Sequence, residues 1–214
     1  SGLKGTSMEP CAKNQLNIWK QQISLVLGGS AFVFNGILLV SVLSNEKLRN
    51  RSEYRLMIAL AFADFSEGVA SFIGAVYRLP YYLSDDGCYK LATPLECMIL
   101  PQNIIWSSSV FPILQLLVMI AVDHFIAITF PLFHVRNSSI SNIVMISVVY
   151  GISILCMLYA WIQPIQLLIN MKTLQRVCST GKLIDNVYTI VIKYATGAAS
   201  AISAIIHVTV TVKV

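Results

Sequence analysis

A few ionisable and amide side chains lie within long apolar stretches, and these residues can carry chemistry. Asn35 and Asp64 are 29 residues apart, and Glu67 follows Asp64 by one helical turn. A carboxylate at bilayer depth is costly, so it usually faces a bundle interior and has a function. An amide there also needs a partner. We expect at least one carboxyl group to be protonated. Glu67 then either contacts a ligand or ion, or bonds to a neighbouring helix.

A second set of polar residues closes another apolar stretch. Asp123, His124 and Phe125 follow one another, and Pro131 comes eight residues after the acid. Asp123 and His124 can form a charged pair, although an imidazole titrates near neutral pH and lacks the fork of a guanidinium. The three histidines show no helical ligand spacing, so we expect no metal site at His124, His134 and His207.

Composition indicates that lipid surrounds the elements that carry these residues. The chain is 56% hydrophobic and 12% charged, with a mean hydropathy of +0.71, whereas soluble domains are about 25% charged. No Asp, Glu, Lys or Arg occurs in residues 21–45, 97–122 or 137–171. Each of these stretches exceeds the roughly 20 apolar residues that cross a bilayer. A soluble fold is therefore excluded.

The pattern predicts an all-α, polytopic membrane helix bundle, because backbone groups in lipid must be bonded within their own segment. A polar tail, residues 1–19, precedes the transmembrane bundle of residues 20–214. Five helices are predicted, at residues 20–44, 56–79, 97–129, 139–168 and 186–212. The basic residues are spread over the loops, so the net charge of +5 does not indicate nucleic-acid binding.

These landmarks together resemble helices one to five of the seven in rhodopsin-like (class A) G-protein-coupled receptors. That family ends helix three with Asp-Arg-Tyr, an apolar step and Pro-Leu, and Asp123, Pro131 and Leu132 stand at these positions. Its helix-two run Leu-Ala-x-Ala-Asp is similar to residues 60–64. In this sequence His124 replaces the Arg of the family motif, and the helix-four Trp is missing. In these two features the chain resembles nematode-type serpentine chemoreceptors.

The resemblance implies roles for several residues. Asn35 bonds toward Asp64, and Asp64 is a possible sodium site; otherwise the two form a buried pair that stabilises helix packing. The segment holding Asp123, His124, Phe125 and Pro131 faces a heterotrimeric G protein.

The resemblance also implies a disulfide between Cys97 and Cys178, in an oxidising, exported loop. Cys88 is a rival partner for Cys178, and Cys11 could pair with Cys88. Cys156 is expected to be a small apolar residue within helix four.

In the family, the ligand pocket opens outward between helices two, three, five, six and seven. Gln102, Trp106, Ser107 and Val110 recur at helical spacing on the outer half of helix three. Trp106 is either a ligand contact or a packing aromatic. Arg78, near the end of helix two, either meets an anionic ligand or reaches to lipid headgroups.

The predicted function is a multi-pass plasma-membrane receptor with its N-terminus outside, which passes a chemosensory, peptide or small-molecule signal to a heterotrimeric G protein. Charge counting does not support this orientation; the resemblance does. The sequence stops after helix five, so we expect that this chain alone does not signal.

Two alternatives remain. One is a small ion-coupled transporter or channel, and the other is a truncated isoform that associates with full-length receptors in an oligomer. No enzyme motif is present, and no cofactor besides the sodium ion is implied.

Overall fold

The computed structural model describes residues 15–49, 52–83, 91–169, 174–175, 177–178 and 186–213. The described elements, in chain order, are α1 (Gln15–Ser44), α2 (Glu46–Arg49), α3 (Ser52–Leu83), β1 (Leu91–Ala92), α4 (Pro94–Ile99), α5 (Pro101–Thr129), α6 (Pro131–Ile169), β2 (Leu174–Gln175) and α7 (Asn186–Lys213). Helix α1 packs mainly on α3, α3 packs on α5, and α5 packs on both α6 and α7.

Within the described residues, four helices are long and apolar enough to cross a membrane, which confirms the polytopic helical bundle. These spans are Gln15–Ser44, Tyr54–Leu83, Pro101–Thr129 and Asn142–Ile162. Their outward faces carry large apolar side chains, including Val26, Phe34 and Leu155. The fifth predicted helix is also helical, as α7, and its described apolar stretch is the shorter Tyr194–Ile206.

The predicted third helix, residues 97–129, is in fact two helices. Thr93 caps α4: its hydroxyl accepts from the Glu96 backbone N–H at 3.2 Å, and the Glu96 carboxylate accepts from the Thr93 N–H at 3.1 Å. The break falls at Leu100, whose ψ of 133° is extended. Pro101 causes it, because a proline ring disfavours helical geometry in the residue before it. Cys97 therefore lies on α4, outside the long helix.

The predicted loop at residues 130–138 is also wrong. Phe130 alone separates α5 from α6, and α6 begins at Pro131. A proline fits the first helical position because it has no N–H to leave unbonded. Helices α1 and α3 likewise extend beyond the predicted bounds, and α3 continues through Pro80.

A small sheet joins two connecting segments that sequence reasoning treated as loops. Strand β1 pairs antiparallel with β2, with Leu91 opposite Gln175 and Ala92 opposite Leu174. The sheet lies beside α4 and the start of α5. We call this end of the bundle the sheet end, and the end where α5 meets α6 the far end.

Two apolar clusters fill the interior. The one at the sheet end holds Ala92, Cys97, Met98, Ala160 and Cys178, and Trp106 packs against it. The second lies between α3, α5 and α6 and holds Leu56, Ala59, Ala63, Leu116 and Val149. The hydroxyl of Tyr150 on α6 donates to the Ala59 carbonyl at 3.3 Å, which ties α6 to α3.

Glycines allow α1 and α3 to touch backbone to backbone. A Cβ at Gly68 would lie 2.6 Å from the Phe32 nitrogen, and one at Gly28 would lie 2.9 Å from the Phe72 nitrogen. Small residues permit such close approach between membrane helices, which associate through van der Waals packing. Phe32 and Phe65 pack beside this contact with ring centroids 5.0 Å apart.

We expect Gly68→Ala to lower the thermal stability of the purified protein in detergent, because the new methyl group must push two backbones apart. Overpacking of this kind costs about 1–3 kcal/mol. Gly151→Ala is the matched control, since nothing lies within 4 Å of its added Cβ; it should be neutral or stabilise by up to about 1 kcal/mol. Equal melting temperatures for the two variants would contradict the proposed contact.

Candidate functional site

The disulfide between Cys97 and Cys178 is present, with its Cα atoms 5.1 Å apart. It attaches the segment after β2 to α4, and both residues are buried. This confirms the predicted pairing and excludes Cys88 as the partner of Cys178. Cys88 and Cys11 lie outside the described residues, so their pairing stays a prediction. Cys156 on α6 is half-buried and is not part of a disulfide.

Asn103 organises the polar contacts around this disulfide. Its Nδ2 donates to the Cys97 carbonyl at 2.6 Å, and its Oδ1 accepts a longer bond of 3.5 Å from Arg78 Nη2. The same Arg78 nitrogen donates to the Cys178 carbonyl at 3.2 Å. Sequence reasoning missed Asn103. An amide in the first turn of a helix that starts with Pro101 was the available signal.

Arg78 turns into the bundle. Its contacts with Asn103 and with the Cys178 carbonyl place the guanidinium between α3, α5 and the disulfide-linked segment. The alternative, in which the side chain reaches out to lipid headgroups, does not fit this position. Arg78 thus lies where it can meet a bound molecule.

A polar cavity of about 120 Å³ opens between α1, α3 and α5 at the sheet end. It is lined by Gln21, Ser24, Ala70, Ser71, Arg78, Gln102 and Trp106. Three of the predicted ligand residues therefore come together, namely Arg78, Gln102 and Trp106. Small side chains on α1 and α3 provide the space. The pocket predicted between helices two, three, five, six and seven is a different location, and it stays a prediction.

The other two predicted ligand residues do not line this cavity. Ser107 is buried, and its hydroxyl donates to the Ile104 carbonyl within α5 at 2.9 Å. Val110, one turn further along, is half-buried. Trp106 packs against the apolar cluster at the sheet end, which is one of its two predicted roles. It also lines the cavity, and its contact with a ligand stays a prediction.

Two donors at this cavity have no hydrogen-bond partner in the part of the chain that the structure describes. They are Nε of Arg78 and Nε2 of Gln102. Gln102 is only 3% exposed, so neither bulk water nor lipid headgroups surround its amide. A buried donor without a partner costs about 1–3 kcal/mol. The cavity is therefore prepared for a hydrogen-bond acceptor.

A larger cavity, about 200 Å³, lies between α3, α5 and α6 and is lined by apolar residues and four serines. The hydroxyls of all four donate to carbonyls of their own helices, at 2.7–3.2 Å: Ser66 to Phe62, Ser108 to Ile105, Ser109 to Trp106, and Ser153 to Val149. With their donors already bonded, these serines give the cavity little polar specificity.

Asp64 and Glu67 lie one turn apart on α3, both half-buried and close enough for their charges to interact. The expected bond from Asn35 to Asp64 is not among the contacts of the described residues. The Asn35 amide donates instead to the Ala31 carbonyl, one turn back on α1, at 3.0 Å. Carboxyl oxygens suit a hard cation, so sodium at Asp64 stays a prediction.

At the far end, Asp123 pairs with His134 and not with its neighbour His124. The Asp123 carboxylate lies 3.0 Å from His134 Nε2, and both side chains are mostly buried. His134 reaches it because α6 starts directly at Pro131; the His134 N–H donates to the Phe130 carbonyl at 3.0 Å. His124 is exposed and Phe125 half-buried. The wrongly predicted loop at residues 130–138 had concealed this pair.

Residues 15–163 match the model of a protein family described as Serpentine type 7TM GPCR chemoreceptor Srbc. The match covers more than half of the chain and includes both the polar cavity and the Asp123–His134 pair. No curated protein matches the chain. Of the two family names that the sequence suggested, the match supports the serpentine chemoreceptor, and the rhodopsin-like name stays an interpretation.

We expect a double-mutant cycle with Asp123→Asn and His134→Gln to give a coupling energy of about 1.5–3 kcal/mol, typical of a hydrogen bond to a charged group. The measurement is unfolding of the purified chain in detergent. His124→Gln is the control, because this neighbouring imidazole is exposed; its effect should stay within about 0.5 kcal/mol. Additive effects of the two buried substitutions would contradict a direct pair.

Proposed function

Because the chain belongs to the Srbc family of serpentine 7TM chemoreceptors, we propose that it works as a chemosensory receptor coupled to a heterotrimeric G protein. In this proposal, the full-length receptor binds an extracellular small molecule at the sheet end. The far end contacts the G protein. The bundle between them carries the signal.

The observation that carries the proposal is the polar cavity at the sheet end. A multi-pass bundle needs few polar groups inside, yet Arg78 and Gln102 both contribute unpartnered donors to one cavity. Ligand sites are typically concave, with a few placed polar groups among apolar walls. Here Trp106 supplies an aromatic wall, and the disulfide-linked segment holds the guanidinium in place.

The two ends of α5 are far enough apart for ligand binding at one end and G-protein contact at the other. Gln102 and Asp123 are 21 residues apart on this helix, so at 1.5 Å per residue they are separated by roughly 30 Å. That distance is about the thickness of a bilayer core. A ligand at one end and a G protein at the other would therefore lie on opposite sides of the membrane, with α5 contacting α3, α6 and α7 between them.

The proposed location is the plasma membrane, with the N-terminus and the sheet end outside. The Cys97–Cys178 disulfide supports this orientation, because disulfides form and persist in oxidising compartments. The far end, with the exposed His124 and the buried Asp123–His134 pair, would then face the cytoplasm.

A G-protein dissociation assay in cells tests the proposal. The receptor is expressed from its own gene with each class of Gα subunit and exposed to a panel of small organic molecules. At least one compound should trigger dissociation of one class. Trp106→Ala should lose the response, while Trp19→Ala should keep it, because Trp19 is 62% exposed on α1. Surface receptor without any response, or equal responses from both variants, would contradict the proposal.

An epitope tag placed before Ser1 tests the orientation separately. An antibody should stain it on intact cells, and a tag after Val214, beyond an odd number of predicted helices, should need permeabilisation. Staining of the second tag alone on intact cells would reverse the proposed topology while leaving the cavity and its ligand open.

A further inference from the structure

The guanidinium of Arg78 has no acidic partner in the part of the chain that is described. No described carboxylate oxygen lies within 4.0 Å of a guanidinium nitrogen of Arg78. The ion pair recorded among the described residues, Asp123–His134, lies at the far end of the bundle. An unpaired charge inside a membrane bundle is costly, and such residues usually pair or mark a binding pathway. The site therefore favours a negative partner from outside the described residues.

The bonds that Arg78 already makes define where that partner would sit. Nη2 is occupied by the Cys178 carbonyl at 3.2 Å and by Asn103 at 3.5 Å. Among the described residues, neither Nε of Arg78 nor Nε2 of Gln102 has a hydrogen-bond partner. Both residues line the same cavity. Two N–H donors from different helices, one of them charged, are a suitable pair for the two oxygens of one carboxylate.

Gly74 leaves room between these two side chains. A Cβ built there would lie 3.6 Å from Gln102 Cγ and 3.8 Å from Arg78 Nη1. Any side chain longer than alanine at this position would therefore extend toward the guanidinium and the amide. At Gly74, therefore, no side chain stands against the guanidinium and the amide.

Charge and volume narrow the class of ligand. Arg78 is the one cation among the lining residues, and none of them is acidic, so the lining balances a single negative charge. A cavity of about 120 Å³ corresponds to roughly four water molecules at about 30 Å³ each. That is enough for a carboxylate head with a short carbon stem, which would lie against the Trp106 indole.

We propose that the cavity between α1, α3 and α5 binds a small monocarboxylate anion, with Arg78 Nε and Gln102 Nε2 donating to its two oxygens. Binding of the anion is a property of the cavity alone. Its meaning as the sensed signal rests on the chemoreceptor function proposed above. The carboxylate comes from a free solute, not from a lipid headgroup.

Thermal unfolding of the purified chain in phosphatidylcholine nanodiscs tests the site. Sodium propionate should raise the melting temperature saturably, in the millimolar range. Propionamide, which has the same shape without the charge, and sodium chloride at equal concentration should not. Equal stabilisation by all three would overturn the proposal. Stabilisation by phosphatidylserine nanodiscs, with no further effect of propionate, would assign the site to a lipid headgroup and also overturn it.

Variants of Gln102 distinguish the loss of a hydrogen-bond donor from the loss of the fold. Gln102→Leu should weaken propionate binding at least about tenfold, since one hydrogen bond to a charged group is lost. Gln102→Glu should abolish binding and raise the melting temperature without ligand, because the new carboxylate takes the anion's place beside Arg78. Ser66→Ala, in the other cavity, is the control and should bind normally. Unchanged affinity in both Gln102 variants would contradict the assignment.

Arg78→Met should also lose propionate binding, but this variant disturbs the contact with Cys178 as well. If Arg78→Met does not fold, the Gln102 variants alone test the site.

The cell assay separates this inference from the proposed function. Propionate binding in nanodiscs without any G-protein response would keep the site and refute the receptor function. Responses to uncharged compounds alone, without propionate binding, would keep the receptor function and refute the site.

Discussion

The cross-link between Cys97 and Cys178 is the constraint on which the sheet end depends. It holds a connecting segment against α4, so that the Cys178 carbonyl stands where Arg78 can donate to it. Asn103 adds a second attachment through the Cys97 carbonyl. Helices α3, α4 and α5 and the segment after β2 thus meet through one polar network. Hydrogen bonds in a low-dielectric interior are stronger than in water, and linked bonds reinforce one another.

The network also explains why a charged side chain can lie inside an apolar bundle. Arg78 satisfies part of its guanidinium with backbone and amide acceptors, and the residue lines the polar cavity. At the far end a different solution applies, because Asp123 receives a partner from within the chain, His134. At one end of α5, therefore, Asp123 is paired with His134. At the other end, Gln102 has an amide donor without a hydrogen-bond partner among the described residues.

The fold class followed from sequence, whereas several boundaries and partners did not. Uncharged stretches with more residues than a bilayer crossing needs predicted spanning helices. The family resemblance predicted the disulfide. Pro101 and Pro131 were visible, but their effects were underestimated: one splits the predicted third helix, and the other starts α6 without a loop. That second error hid His134 as the partner of Asp123.

At the polar cavity, the sequence singled out Arg78, Gln102 and Trp106 but did not show that they converge. Their convergence depends on how α3 packs against α5, which a hydropathy pattern does not encode. Asn103 was missed for a similar reason, because its partners, the Cys97 carbonyl and the Arg78 guanidinium, lie on other helices. Asn35 was predicted to bond to Asp64 on another helix, but its amide donates to the Ala31 carbonyl on its own helix.

The glycine contact between α1 and α3 has a consequence for the diversification of such receptors. Ser71, which lines the cavity, touches the position where a Gly28 side chain would stand, 2.9 Å away. Ser24, on the opposite wall, lies one helical turn from Gly28. A residue larger than glycine at position 28 would meet Ser71 and the Phe72 backbone, and would therefore press α1 away from α3. Such an exchange would alter the spacing of two cavity walls while every lining residue stayed the same.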